Sequence, residues 1–207
     1  ASDVYKRQAY ICYERQKLGI IRELFAEPTD SKTIIFSSSK LKVKELAHTL
    51  KRMGLDVAAM HSDLEQAQRE EVMLNFKNNK VKILVATDIV ARGIDIEDIG
   101  LVLNYDVPHD PEDYIHRIGR TGRAGRSGAA FSFCDSEEKV YLKDIERLTG
   151  RHIPEIQEHP FNAGVVRPVS VFSEKEELKR TVRREDRKNS RNSRFQNSFG
   201  SRSDVRA

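Results

Sequence analysis

Short apolar segments alternate with helix-like segments along most of this chain, and this alternation restricts its fold more than any other feature. The apolar segments fit buried strands, whereas the segments between them repeat apolar residues at three- and four-residue steps, as amphipathic helices do. Strands separated by helices of about 10–15 residues are typical of βαβ units and a mostly parallel sheet. The sequence predicts strands at residues 33–36, 57–60, 81–86, 101–104 and 129–134, and helices at 41–53, 66–78, from 111, and 137–148.

Two of these helices carry signals at their ends. Asp110 precedes Pro111, which fits an N-cap followed by the proline that the first helical turn accepts. Gly150 fits the residue just beyond a helix end. The chain is therefore expected to form a parallel α/β sheet flanked by helices.

Charge and composition divide the chain. Residues 178–207 hold ten lysines and arginines against three acids, a net charge of +7, so the remaining residues carry −3 within a total of +4. From residue 173 onward the chain is rich in Ser, Asn, Arg, Lys and Glu, a composition that cannot build a core. We expect a folded body at 9–157 and a basic disordered tail at 158–207, which either tethers nucleic acid or only solubilises the chain. Residues 1–8 fit the following strand poorly and are interpreted as an expression scar or sequence-assembly artefact.

Several classes of protein are excluded. No run approaches the ~20 apolar residues of a membrane span, and no secretory signal segment is evident. The two cysteines, Cys12 and Cys134, form neither a disulfide framework nor a C-x-x-C zinc motif, and the histidines are scattered. We therefore expect no metal site, no membrane association and a cytoplasmic location.

The densest functional signal runs from residue 114 to 128. Arginine recurs at 117, 120, 123 and 126, and glycine at 119, 122, 125 and 128. Because each glycine costs a helix roughly 1 kcal/mol, the helix that begins near Pro111 should end near Gly119 and later arginines should project from a loop. Guanidinium groups match phosphate oxygens in bidentate geometry. The segment predicts contact with polyphosphate or nucleic acid, with a solvated basic turn as the simpler alternative.

A second signal, ATDIVARGID at 86–95, directly follows an apolar strand. Polar residues at the carboxyl end of a parallel strand lie where ligands bind in open α/β sheets. Thr87 offers a hydroxyl to a phosphate and Asp95 an acceptor to a ribose hydroxyl. A plain turn capped by Asp88 is the alternative.

Taken together, these segments resemble the motifs of a known family. ATDIVARGID, NYDVP (104–108) and YIHRIGRTGRAG (114–125) are similar to motifs V, Va and VI of the DEAD-box ATP-dependent RNA helicases. TIIFSSSK (33–40) resembles motif IV, and QAQR (66–69) resembles the Q-x-x-R element. The resemblance covers about residues 9–157 and implies the second RecA-like domain of such an enzyme, of bacterial type.

The resemblance implies a role for each matching position. Arg120 and Arg123 would be arginine fingers that reach the γ-phosphate of ATP, where such groups are worth about 10³–10⁵ in rate. Asp95 would bind the ribose, and Gly93 would allow close backbone approach. Ser39, Arg69 and Thr87 would contact RNA phosphates, and Gln66 and Asp88 would brace this network. His116 and Arg117 would link the arginine loop to the partner domain and to the RNA-binding elements.

The sequence also departs from the family pattern. Ser62 stands in His61-Ser62-Asp63 where the family more often has glycine. No G-x-x-x-x-G-K-[ST] phosphate loop and no D-E-A-D run occur. The resemblance thus implies half of an enzyme, inactive alone, whose ATP and magnesium are held by a missing first RecA-like domain. A DNA helicase of the same superfamily, a non-enzymatic RNA-binding module and a regulatory domain acting through the tail remain alternatives.

Overall fold

A computed structural model describes residues 4–27, 30–88, 99–122 and 128–161. The described strands are β1 (Val4–Ile11), β2 (Lys32–Phe36), β3 (Val57–Met60), β4 (Ile83–Ala86), β5 (Ile99–Asn104), β6 (Gly128–Cys134) and β7 (Glu155–Ile156). The described helices are α1 (Glu14–Leu24), α2 (Lys40–Arg52), α3 (Gln66–Lys77), α4 (Pro111–Ile118) and α5 (Lys139–Thr149).

All seven strands form one sheet in the order β3-β4-β2-β5-β6-β1-β7. Each described pairing between neighbours is parallel. Because parallel strands all point the same way, their carboxyl ends lie along a single edge, called here the carboxyl edge. The predicted RecA-like parallel α/β architecture is confirmed.

The sheet is buried on both faces, which explains why its strands read as continuous apolar runs. On β2, Ile35 belongs to a core cluster with α1 and α2, whereas Ile34 and Phe36 belong to a cluster with α3. The helices α4 and α5 pack on the same face as α3, through a third cluster that includes Ala130 of β6. Phe131 and Phe133 of β6 are both buried in the core.

The folded body is longer at both ends than the sequence predicts. Its first strand begins at Val4 and pairs with β6 from there, so residues 4–8 do take part in the sheet despite their poor fit in sequence. At the other end, the Gln16 amide donates to the Phe161 carbonyl, and the Phe161 ring lies 2.8 Å from where a Cβ on Gly19 would be. Described contacts with the sheet and its helices thus extend beyond residues 9 and 157 on either side. The chain beyond 161 lies outside the described residues.

Local end signals are confirmed where the structure describes them. The Asp110 carboxylate accepts a hydrogen bond from the Glu112 N–H at 2.9 Å, as an N-cap does. Gly150 has a φ of +62°, the left-handed conformation that favours glycine at a helix end. In contrast, β1, α1 and the short β7 are not among the predicted elements. No helix in the described ranges is long and apolar enough to cross a membrane.

Candidate functional site

Polar side chains follow several adjacent strands at the carboxyl edge. Ser37 follows β2, Thr87 and Asp88 follow β4, and Asp106 comes two residues after β5. These residues are spread over seventy positions in the sequence. The parallel sheet brings them together, since β4, β2 and β5 are neighbours.

Arg117 of α4 is the centre of this group. Its Nε and Nη2 donate to the two carboxylate oxygens of Asp88 at 2.6 and 2.7 Å, a bidentate pair. Its Nη1 donates to the Asn104 side-chain oxygen at 3.2 Å and to the Asp106 carbonyl at 2.9 Å. The guanidinium also lies over the Phe36 ring, 5.4 Å from its centroid. One buried arginine thus joins α4 to the ends of β2, β4 and β5.

The network continues through the partners of Arg117. The Asp106 carboxylate accepts from the Ser37 hydroxyl at 2.8 Å and from the Ser38 N–H at 2.9 Å. Asn104 donates through its amide to the Ser132 hydroxyl of β6 at 2.9 Å. The polar groups are therefore mutually satisfied, which a buried network requires.

The turn that follows α4 carries Arg120. The helix ends at Ile118, as the glycine pattern predicts, and Arg120 is half-buried on the turn at 119–122. The Thr121 hydroxyl donates to the Ile99 carbonyl at the start of β5. A Cβ on Gly128 would lie only 2.6 Å from the Gly122 nitrogen, so the start of β6 packs tightly against this turn.

The α4 helix and the turn that follows it contact β5 at opposite ends of that strand. Arg117 reaches Asn104, its last residue, and Thr121 reaches Ile99, its first. Five steps of about 3.3 Å separate these strand residues by roughly 17 Å. The turn with Arg120 therefore lies away from the carboxyl edge.

The residues expected to contact RNA lie at or near the carboxyl edge. Ser39 occupies the N-cap position of α2, after β2, and Thr87 directly follows β4. Arg69 belongs to α3, after β3, and β3, β4 and β2 are consecutive in the sheet. Its Nε and Nη2 donate to the carbonyls of Leu64 and Ser62 at 3.0 and 3.1 Å. Arg69 thus also braces the loop before its own helix, a role that the sequence did not predict.

A second ionic cluster lies beside these residues. The Lys40 ammonium contacts Asp63 Oδ1 at 2.8 Å, and the Lys44 ammonium contacts Asp63 Oδ2 at 2.7 Å. These two hydrogen-bonded ammonium groups lower the pKa of Asp63 from 3.8 to about 2. Nearby, burial and then the Lys44 charge lower the pKa of His61, whose Nδ1 is buried with no hydrogen-bond partner.

The other predicted positions divide into three groups. Asp88 accepts from Arg117, whereas Gln66 donates to Glu70 at 2.8 Å on the surface of α3, away from the Arg117 network. His116 is exposed, so it remains available for the expected interdomain contact. Arg117 is 2% exposed and is not available to a partner domain, although it does link α4 to the Thr87-Asp88 segment. Gly93, Asp95 and Arg123 lie outside the described residues.

Several residues of the two clusters were missed in the sequence. Asn104 and Asp106 belong to the recognised NYDVP segment, yet nothing local assigns them to Arg117. Their signal is the position of polar residues directly after a buried strand. Lys40 and Lys44 had a signal too, because lysines in the first turns of a helix oppose its dipole.

The two cysteines are buried, and both thiols are free. Burial raises the pKa of Cys12 to about 11 and that of Cys134 to about 12. The described residues contain no group of three or more His, Cys, Asp or Glu that could hold a metal ion.

Comparison with known proteins identifies relatives of this fold and these motifs. Residues 16–125 match the helicase conserved C-terminal domain family. The chain is 45% identical over 152 residues to the ATP-dependent RNA helicase DeaD of Buchnera aphidicola subsp. Acyrthosiphon pisum (strain APS), an alignment that covers 73% of this chain and 25% of the relative. The chain thus spans about a quarter of the length of that relative.

Solved structures agree with the sequence match. The E. coli DEAD-box protein SrmB, bound to the regulator of ribonuclease activity A, aligns with a TM-score of 0.69 at 32% identity over 73% of this chain and 89% of that one. S. cerevisiae Dbp5 bound to RNA and ADP BeF3 aligns with a TM-score of 0.69 at 34% identity, over 75% of this chain and 42% of that one. Since relatives are bacterial and fungal, the expected bacterial type is only weakly supported. The chain belongs to the helicase conserved C-terminal domain family and, within it, to the DEAD-box proteins.

Proposed function

We propose that this chain is the C-terminal domain of an ATP-dependent RNA helicase, which supplies Arg120 and Arg123 to the phosphates of ATP and binds RNA along its carboxyl edge. In this proposal a first RecA-like domain of the same enzyme holds ATP and magnesium. ATP supplies the phosphoryl group whose transfer to water drives RNA remodelling. The chain alone is expected to hydrolyse ATP negligibly, because its sequence has no phosphate loop and no D-E-A-D motif.

The hydrogen bond between Thr121 and Ile99 carries the ATP side of the proposal. Ile99 directly follows the 89–98 segment, which contains Gly93 and Asp95, and Thr121 lies two residues before Arg123. The bond therefore ties together the described ends of the two segments that resemble the ATP-contacting motifs. The guanidinium of Arg120 can donate to phosphate oxygens. Its turn is fixed by the Thr121–Ile99 hydrogen bond and by the close packing of Gly128 against Thr121 and Gly122.

The position of Arg117 supports coupling between the two ligands. Its bidentate pair with Asp88 lies next to Thr87 at the carboxyl edge. Arg120, three residues after Arg117, lies on the turn away from that edge. A shift of the 119–122 turn on contact with phosphate would act on the same helix that holds Asp88. Bound RNA would be recognised mainly through phosphate and 2′-hydroxyl groups, with low sequence specificity.

We also propose a cytoplasmic location, which two buried free thiols and no disulfide suit. Fractionation of cells that express the tagged native gene would test it. Recovery in a membrane or secreted fraction would contradict it.

The test of the function mixes this chain with a separately produced first RecA-like domain from a DEAD-box relative. ATP hydrolysis is measured with and without single-stranded RNA for the wild type, for Arg120→Ala and for Arg123→Ala. Arg52→Ala is the matched control, because it removes an exposed arginine from α2, on the opposite face of the sheet from α4. We expect RNA-stimulated hydrolysis that only the Arg120 and Arg123 substitutions abolish.

Two outcomes would contradict the proposal. Robust hydrolysis by the chain alone would show that it does not depend on a first domain. Full activity of both arginine variants would show that Arg120 and Arg123 do not act as arginine fingers. Stimulation by single-stranded DNA equal to that by RNA would favour the DNA helicase alternative, and an upstream reading frame without a phosphate loop would favour the RNA-binding module.

A further inference from the structure

A buried lysine lies at the carboxyl edge, outside the segments that resemble helicase motifs. Lys17 of α1 is 2% exposed, and its ammonium donates to the Tyr105 carbonyl at 2.8 Å. The ammonium also lies over the Tyr105 ring, 4.8 Å from the centroid, and 3.0 Å from the Glu14 carboxylate. Removing an ammonium group from water is costly, and an apolar side chain often fills such a place without loss of stability. The contact of Lys17 with a backbone carbonyl therefore explains this lysine better than packing does.

The carbonyl that Lys17 binds belongs to a short stretch directly after β5, residues 105–107, called here the 105–107 segment. Charged side chains from three different parts of the chain hold two consecutive peptide groups of this segment. The contacts are Lys17 to the Tyr105 carbonyl at 2.8 Å, Arg117 to the Asp106 carbonyl at 2.9 Å, and the Val107 N–H to the Glu138 carboxylate at 3.2 Å.

These side chains reach the 105–107 segment from opposite faces of the sheet. Helix α1, with Lys17, packs on one face, whereas α4, with Arg117, packs on the other. The Asp106 side chain in the middle of the segment also accepts from Ser37 and Ser38. A rotation of the Tyr105–Asp106 peptide group would therefore move both the Asp106 carboxylate and the carbonyl that Arg117 binds.

We propose that Lys17 is a positioning residue for the reaction of the enzyme proposed above. By holding the Tyr105 carbonyl, it fixes Asp106 and, through it, Arg117 and the helix that leads to Arg120. This inference rests on the proposed function and adds to it a residue from outside the recognised motifs.

Loss of the ammonium would act through the backbone. The Tyr105 carbonyl would be buried without a donor, which is unfavourable, so its peptide group would turn towards another donor. Arg117 would follow the Asp106 carbonyl. The turn after α4 would then lose the fixed position from which Arg120 reaches phosphate, and small displacements of this kind lower reaction rates.

The test uses a matched pair of buried lysines. Lys32, the first residue of β2, is 7% exposed, donates to the Lys77 carbonyl at 3.1 Å and lies over the Phe76 ring at 5.9 Å. Lys32→Met and Lys17→Met each remove a buried ammonium that binds a carbonyl and faces an aromatic ring, at opposite edges of the sheet. Urea unfolding checks that both variants are folded.

ATP hydrolysis is measured with the full chain, a first RecA-like domain from a DEAD-box relative and saturating single-stranded RNA. Lys17→Met should lower kcat about ten- to a hundredfold, up to the effect of a displacement near 1 Å. The KM for ATP should not change, because in this proposal the first domain holds ATP. Lys32→Met should keep the wild-type kcat, whereas a loss that reflected only the stability of the fold would appear in both variants.

A second measurement needs neither ATP nor RNA. The Arg117 Nε–H, which donates to Asp88 at 2.6 Å, gives an NMR signal that reports the position of the guanidinium in the chain alone. Lys17→Met should shift this signal and Lys32→Met should not. If Lys17→Met does not fold, Glu138→Gln replaces it in both measurements. Its amide oxygen still accepts from the Val107 N–H but without charge, so a smaller loss of kcat is expected.

The outcomes separate this inference from the function on which it rests. RNA-stimulated hydrolysis by the wild type, with Lys17→Met equal to Lys32→Met in kcat, would overturn only the role of Lys17. A lower kcat with an unshifted Arg117 signal would also overturn it, because Lys17 would not act through Arg117. If Glu138→Gln has to be used, a wild-type kcat in that variant would contradict the inference. A wild type without RNA-stimulated hydrolysis would overturn the proposed function and the inference with it.

Discussion

Two clusters of opposite charges lie near the same edge of the sheet, and they differ mainly in burial. The Arg117 side chain is 2% exposed, with Asp88 at 22% and Asp106 at 7%. In the second cluster, Lys40 is 58% exposed, Lys44 46% and Asp63 38%. The contact distances are nearly equal, at 2.6 Å for Arg117–Asp88 and 2.7 Å for Lys44–Asp63.

Short contacts between charges therefore do not by themselves reveal how much a contact contributes to the fold. In the buried cluster Arg117 depends on its partners, because little water reaches its guanidinium. In the exposed cluster water can solvate each group at little cost, so the ion pairs contribute little to stability. The first arrangement suits a fixed structural joint and the second a surface contact.

The largest expected effect comes from breaking the buried cluster. Arg117→Met keeps an apolar stem but leaves the carboxylates of Asp88 and Asp106 without their cation, which should destabilise the domain by about 3–5 kcal/mol. Urea denaturation measures this change, with Arg52→Met as the control. A loss below about 1 kcal/mol would mean that water reaches the carboxylates and that the two clusters do not differ as described.

A second variant disturbs the other end of α4. Gly128→Ala places a Cβ against the Thr121 side chain and 2.6 Å from the Gly122 nitrogen, so the turn with Arg120 must move. Overpacking of this kind costs about 1–3 kcal/mol. Thermal unfolding measures it, and Gly54→Ala is the comparison for backbone strain without a steric contact, because its φ is +87° and its added Cβ meets nothing within 4 Å. A loss well below about 1 kcal/mol for Gly128→Ala, relative to the wild type, would show that the turn is not packed as described.

Breaking the exposed cluster should have little effect on stability. Lys44→Met removes one of two cations beside an exposed carboxylate, and the other, Lys40, still holds it. We expect the urea midpoint to stay close to that of the wild type, in contrast to Arg117→Met. A midpoint shift as large as that of Arg117→Met would contradict the expected difference in stability between the two clusters.

The smallest effect is a change in titration. In the wild type the pKa of Asp63 should lie near 2, because Lys40 and Lys44 donate to its ionised form. In the double variant Lys40→Met/Lys44→Met it should return toward 3.8. Since the folded-state pKa is the lower one, any stability from this pair is present above pH 4 and is lost as the pH falls through about 2. Carboxyl chemical shifts followed by NMR measure the pKa, and equal values in both proteins would contradict the contacts.

Much of the fold follows from local patterns in the sequence. Five of the seven described strands and four of the five described helices fall where the apolar periodicity placed them, since burial of a strand or a helix face selects apolar residues at fixed steps. The cap at Asp110 and the helix end at Ile118 follow from signals within a few residues. In contrast, β1 and α1 were missed, and β7 has only two residues. The contact of Phe161 with Gly19 joins residues far apart in sequence, so local patterns do not reveal it.

The family, the parallel sheet and the segments that carry arginines follow from local order along the chain. Which charges are buried depends instead on the folded sheet. The glycine pattern places Arg117 in a helix and Arg120 beyond it, but it does not show that Arg117 is enclosed by three strand ends or that Arg120 is half-buried on a turn. Likewise, Asp63 meets Lys40 and Lys44 only because β3 and β2 lie two strands apart and α2 packs beside β3. Burial and long-range pairing are properties of the folded sheet, so the roles that depend on them could not be predicted from the chain alone.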